Sequence, residues 1–115
     1  MQQLNSLEST LLEKLVTKYP SFASHLPYLK VEKREAMGEG ICVHLVYENL
    51  DSNLITEDRN ALFSNGERIV IKELKYGLGY VIDITDGEIK FIEFIPNGET
   101  WNGKFSEYNI LEKEL

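Results

Sequence analysis

The side chains best suited to catalysis or metal binding in this sequence are Cys42, His44, His25 and the carboxylates Asp83, Asp86, Glu88 and Glu93. Cys42 and His44 stand two apart, so on a strand they leave from the same face. A thiol beside an imidazole is the start of a nucleophile pair, in which the imidazole takes the thiol proton. The same two groups are half of a tetrahedral zinc site. Both constellations stop short. No orienting partner for His44 is identifiable along the chain, and no second histidine or cysteine pair accompanies the first. Cys42 lies between Ile41 and Val43 in a run apolar on both faces, the setting of a buried, inert thiol. As the single cysteine it has no internal disulfide partner. His25, in Ser24-His25-Leu26-Pro27, stands alone near a predicted helix end.

The carboxylates have local explanations. Asp83 is expected opposite Lys90 across a hairpin, and Asp86 belongs to the turn of that hairpin. Gly38-Glu39-Gly40 and Gly77-Leu78-Gly79 lack the lysine and the strand-to-helix context of a phosphate-binding loop, so they read as turns. The expectation is therefore no catalytic residue, no metal ligand and no cofactor.

Charge narrows the partners. Nineteen acids against twelve bases give a net charge of −7 in 115 residues. A nucleic-acid binder needs a basic footprint, and an anionic membrane attracts basic segments, so neither is expected. The charge is also uneven: residues 39–58 hold five acids and no base, and residues 77–115 hold eight acids against three bases. The stretches between are near neutral or slightly basic. Two acidic blocks can be ordinary solubility, or an acidic face for a basic partner. No apolar run approaches the ~20 residues of a membrane helix. The start, Met1-Gln2-Gln3-Leu4-Asn5, has neither a basic nor an apolar signal region, which points to the cytoplasm.

The elements that must position these groups follow from periodicity. Leu4, Leu7, Leu11, Leu12 and Leu15 form a stripe at three- and four-residue steps, predicting an N-terminal helix capped by Asn5 or Ser6 and stopped by Pro20. A second helical turn is expected over 21–26, ended by Pro27. From Tyr28 the period becomes two, predicting a polar strand to residue 37, with a helix there as the alternative. Residues 41–47, rich in β-branched and aromatic side chains and apolar on both faces, read as a central strand. Residues 48–64 read mainly as loop, with a short helix capped by Thr56 as the alternative, and Asn65-Gly66 as a turn. A strand over 68–74 leads to a hairpin, 80–85 and 88–95, turning at Asp86-Gly87. With Thr85 opposite Glu88, a regular register sets Ile84 against Ile89, Asp83 against Lys90, Ile82 against Phe91, Val81 against Ile92, Tyr80 against Glu93 and Gly79 against Phe94. A short strand is expected around Trp101, and a final helix capped by Ser106 with Tyr108, Leu111 and Leu115 on one face. The fold class is α+β: an N-terminal helix on a mainly antiparallel sheet of about five or six strands, one domain over residues 1–115.

Read in order, Arg34-Glu35-Ala36-Met37-Gly38-Glu39-Gly40, Gly77-Leu78-Gly79-Tyr80, Asp86-Gly87 and Gly98-Glu99-Thr100-Trp101 form a pattern. It resembles a family of small uncharacterised bacterial proteins with an Arg-Glu then Thr-Gly-x-Gly turn, a Gly-Ala-Gly-Phe strand entry and a late Gly-Glu-x-Trp-Pro segment. The resemblance spans residues 30–105. Met37, Leu78 and Asn102 depart from it, standing where the pattern has Thr, Ala and Pro. These motifs are glycine turns and packing aromatics, so the resemblance implies a fold rather than an activity. Small acidic proteins of this type are often immunity partners of bacterial toxins.

Three functions compete: a non-enzymatic binding module, in particular an immunity protein neutralising a basic, nuclease-like toxin; a self-associating structural or adaptor protein; and an enzyme with an unrecognised site. The first fits the charge and size best. Its candidate contact residues are Asp83, Asp86, Glu88 and Glu99, rimming the hairpin face that carries Val81, Ile92 and Phe94, with Trp101 as an anchor. That face is too apolar to stand fully wet, so either the N-terminal helix or a partner, including a second copy of this chain, is expected to cover it.

Overall fold

The computed structural model describes residues 1–49, 54 and 57–112. Helix α1 (Ser6–Lys18) forms where the leucine stripe predicts it. Asn5 is the cap: its Oδ1 accepts from Glu8 N–H at 2.8 Å, and Glu8 Oε1 accepts from Asn5 N–H at 2.8 Å. This reciprocal pair satisfies two of the orphan donors at the helix start. A 3₁₀ helix (Pro20–Tyr28) follows, and runs on through Pro27 rather than ending there.

The rest is a seven-stranded antiparallel sheet. Its strands are β1 (Leu29–Met37), β2 (Gly40–Tyr47), β3 (Ala61–Phe63), β4 (Arg68–Ile71), β5 (Leu78–Thr85), β6 (Glu88–Pro96) and β7 (Tyr108–Leu111). The order across the sheet is β1-β2-β6-β5-β4-β7, with β3 also on β5. Residues 29–37 are thus a strand, at an edge. Strand β2 is central, between β1 and β6. Leu7, Leu11, Leu12 and Leu15 of α1 share one core with Val43, Ile69, Leu78, Tyr80 and Ile82 of the sheet. The helix therefore covers the face of β5 that carries Ile82 and Ile84, and among the described residues no element covers the other, bare face of the sheet.

Four further expectations are corrected. Residues 61–63 form β3 rather than loop; β3 and β4 lie end to end along β5, like two halves of one broken strand. The Thr56 cap falls outside the described residues. Residues 100–105 hold no strand; they fold over the sheet edge, tied by Trp101 N–H to Glu39 O at 2.9 Å. Residues 108–111 are strand β7, not a helix, because Tyr108 and Ile110 alternate with exposed Asn109 and Leu111 and pair with β4. The ladder satisfies backbone groups along the outer edge of β4, which a helix would have left open.

The fourth correction is the hairpin register. Thr85 opposes Glu88 and Ile84 opposes Ile89 as predicted, but Lys90 is then skipped and Asp83 opposes Phe91. This β-bulge moves every later pair by one: Ile82 faces Ile92, Val81 faces Glu93, Tyr80 faces Phe94 and Gly79 faces Ile95. The reason lies in Glu93. Strict alternation from Ile89 would drive Phe91 and Glu93 into the core together. One extra residue at Lys90 turns Glu93 outward and buries Ile92 and Phe94 instead.

The close packing of β2 on β6 also accounts for the second glycine of Gly38-Glu39-Gly40. A Cβ at Gly40 would lie 2.0 Å from Phe94 O. Gly38, in the turn itself, has φ +59°, the left-handed conformation that glycine adopts at no steric cost.

Candidate functional site

The hairpin turn is the best-built acidic feature. Asp86 adopts φ 51°, and the pair Asp86-Gly87 makes the tight turn predicted from sequence. Residues 57–60 dock onto it: Gly87 N–H donates to Arg59 O at 2.9 Å, and Asp86 N–H donates to Asn60 Oδ1 at 3.0 Å. This brings Glu57 and Asp58, from the first acidic block, beside Asp86 and Glu88, from the second. Arg59 holds Glu57, and Lys90 holds Glu88 at 2.9 Å. Asp58 and Asp86 remain exposed at this tip. Sequence spacing grouped Asp86 and Glu88 with other acids of the hairpin but not with Glu57 and Asp58, because the docking of 57–60 is a long-range contact with no local signal.

The other proposed contact residues lie elsewhere. Glu99 sits at the far end of the hairpin, about 25 Å away for an eight-residue strand. Its carboxylate accepts from the N–H groups of Lys75 and Tyr76 at 3.0 and 2.9 Å, and these bonds hold its pKa below the ordinary carboxylate value. Trp101 is only 5% exposed, so it is no surface anchor. It closes the core edge against Phe94, ring centroids 5.4 Å apart, and donates from Nε1 to Lys104 O at 2.8 Å. Asp83 lies on the bare face opposite Phe91; it accepts from Thr85 Oγ1 at 2.6 Å, and Lys90 is not its partner.

On that bare face Cys42 and His44 do project together, as their spacing requires. His44 Nε2 lies 3.0 Å from Glu35 Oε1, so His44 does have a carboxylate neighbour, which sequence reading missed because it comes from the adjacent strand. The thiol is nonetheless unsuited to attack. It is 4% exposed, and burial first, then the charges of Glu93 and Glu35, push its pKa up. His25 is buried in another place, its Nδ1 at 2.7 Å from Tyr47 Oη, which also accepts from Ile89 N–H at 2.9 Å. Burial pushes the Tyr47 hydroxyl up to about 12, so it stays protonated in this bridge. Among the described residues, no group of three histidine, cysteine or carboxylate side chains is placed to hold a metal ion.

Clefts among the described residues interrupt the sheet at two places of interest. One, of about 360 Å³, opens at the break between β3 and β4 and is lined by Gly66, Glu67, Gly79, Tyr80 and Asn97 among others. Its chemical group is Glu67, whose two oxygens are both taken: Tyr80 Oη donates to Oε1 at 3.0 Å and Lys14 Nζ pairs with Oε2 at 2.9 Å. Burial would raise this carboxyl, but the Lys14 and Tyr80 bonds outweigh it and hold it low. The arrangement locks α1 to the sheet. The second cleft, of about 440 Å³, lies where β6 splays from β2 beyond the His44–Phe91 pair, between Glu32, Glu88 and Lys90.

Set against known protein families, curated proteins and solved structures, the chain matches none. No helix among the described residues is long and apolar enough to cross a membrane.

Proposed function

We propose that this chain is a non-enzymatic protein-binding module that neutralises a basic, nuclease-like toxin in the cytoplasm, as an immunity protein does, with the acidic tip as its contact. The observation that carries this reading is the convergence of Glu57, Asp58, Asp86 and Glu88 at one end of the sheet, from two acidic blocks far apart in sequence. Carboxylates held on a tight turn and a docked loop are pre-ordered, so a basic partner immobilises little on binding. The summed charge of −7 steers such a partner from a distance. The toxin as partner follows the class of small acidic bacterial proteins that the glycine and tryptophan motifs resemble.

The test is binding to, and inhibition of, a basic protein recovered with this chain from its native host. Raising ionic strength is expected to slow association. Asp58→Lys and Asp86→Asn should each weaken the complex, the second preserving the left-handed turn. Glu107→Lys, at the other end of the sheet, should not. An affinity indifferent both to salt and to the two tip variants refutes the reading.

A further inference from the structure

The bare face of the sheet differs from the tip in two ways. Its charges nearly balance: across β1, β2, β6 and β5 it carries Lys30 and Lys33 against Glu35, Glu93 and Asp83. It also exposes large apolar side chains, with Met37 at 48%, Ile95 at 44% and Leu62 at 69% exposure, around half-buried Val81 and Phe91. Two copies of a chain of net −7 repel through most of their surfaces. Only a face of balanced charge and exposed apolar area suits contact between them.

The register supplies the geometry. One row across four strands reads Lys33, His44, Phe91, Asp83, through the pairs Lys33–His44, His44–Phe91 and Phe91–Asp83. Its two ends carry opposite charge, and its middle carries two flat rings. We propose that a second copy of this chain packs on this face, about a two-fold axis running along the strands between β2 and β6. That operation exchanges β1 with β5 and β2 with β6. Lys33 of each copy then meets Asp83 of the other, and Phe91 meets His44. The next row on this face, Glu35, Cys42, Glu93 and Val81, sets Glu35 over Val81 and Glu93 over Cys42; Glu35 keeps its pair with Lys33 of the same copy, and Glu93 lies one row and one strand from the Lys33 that the other copy brings over Asp83. In the row beyond, Met37 comes over Gly79, where a Cβ would have only ordinary contact with Ile95 O at 3.8 Å, so room exists for a long side chain. The contact is isologous, as a closed dimer requires. Four strands at ~4.8 Å spacing and about 20 Å of strand length give roughly 400 Å² of flat area per copy. That is below the ~800 Å² per partner of a standard interface, so the dimer is weak and transient. The acidic tip lies outside the contact, and both properties can be tested separately.

The experiment is sedimentation velocity over a concentration series up to about 1 mM, with thermal melts confirming that each variant is folded. The wild-type chain is expected to shift from monomer to dimer. Lys33→Asp and Asp83→Lys should each raise the dissociation constant at least roughly tenfold, by setting like charges together. The double variant carrying both exchanges should return to within about threefold of wild type. A monomer at every concentration overturns the proposal. So does a dimer that the single variants leave unchanged, or a double variant that fails to recover. Should a charge variant not fold, Met37→Glu at its exposed site is the second reading: dimerisation equal to wild type overturns the proposal.

Discussion

Arg34 and Glu8 show how one residue type can be misread from its strand alone. In a run of alternating charges Arg34 looks like a solvated edge residue, yet it turns toward the helix. Its Nε and Nη2 meet Glu8 Oε2 and Oε1 at 2.9 and 2.8 Å, and a third nitrogen reaches Gln2. Glu8 is buried, so this forked pair both caps α1 and ties it to β1. Arg34→Ala leaves a buried carboxylate with only its cap bond and the helix dipole. A loss of about 2 kcal/mol in chemical denaturation is expected, discounted because Arg34 is partly exposed. Cys42 gives the opposite expectation. Cys42→Ala should cost about 1 kcal/mol of stability through lost packing and leave partner binding intact, measured by titration of the folded variant. A folded Cys42→Ala that no longer bound would return the thiol to the functional site.

At the scale of elements, the Lys90 bulge decides which side chains of β6 are core. The regular register makes Phe91 a core residue and Ile92 an outer one; the bulged register reverses them. Truncation separates the two. Ile92→Ala should cost about 3 kcal/mol as a fully buried deletion, and Phe91→Ala under about 1 kcal/mol. Equal losses would mean the bulge is absent in solution. Strand β7 is a second case. Its Tyr108 Oη lies 2.9 Å from Thr10 Oγ1, so the last strand is braced on the first helix as well as on β4. A segment of four residues with a serine cap before it carries a helix signal at least as strong as its strand signal, and only the open edge of β4 resolves it.

For the molecule as a whole, charge bears on stability and on the association proposed for it. Glu67 and Glu99 have pKa values lowered in the folded state. A lowered carboxylate contributes stability that is present above the unfolded value, near pH 4.3, and is lost as pH falls through the folded value. Thermal stability should therefore decline on acidification below about pH 4. Glu67→Gln should lower stability at neutral pH and flatten that acid limb; a limb as steep as wild type would mean that Glu67 takes no part in it. In the same molecule, the acids gathered at one tip and the balanced bare face separate the two kinds of contact proposed for it, which net charge alone merges. Salt should weaken the first through screening, as measured by association rates.

The sequence by itself determined what depends on neighbours within a few residues. The leucine stripe, the helix cap at Asn5 or Ser6, the Asp86-Gly87 turn and the β-branched run of β2 are all local patterns, and each appears in the fold, the cap falling to Asn5. The coarse α+β architecture follows from them. Tertiary structure alone decided what depends on partners far along the chain. The helix chose one sheet face, and that choice put Asp83, Cys42 and His44 on the opposite face, where Cys42 is buried by its neighbours in the sheet. Glu93 was the legible clue to the bulge, since a charge is too costly to bury unpaired, but its remedy could have fallen at any of several residues. The acidic site was half visible for the same reason: Asp86 and Glu88 share a turn, whereas Asp58 arrives because its neighbours Arg59 and Asn60 accept hydrogen bonds from Gly87 and Asp86, more than two dozen positions away. Trp101, polar-flanked in the sequence, is drawn inward to close an aromatic edge, while Glu99 stays near the surface, held by a pair of loop N–H groups.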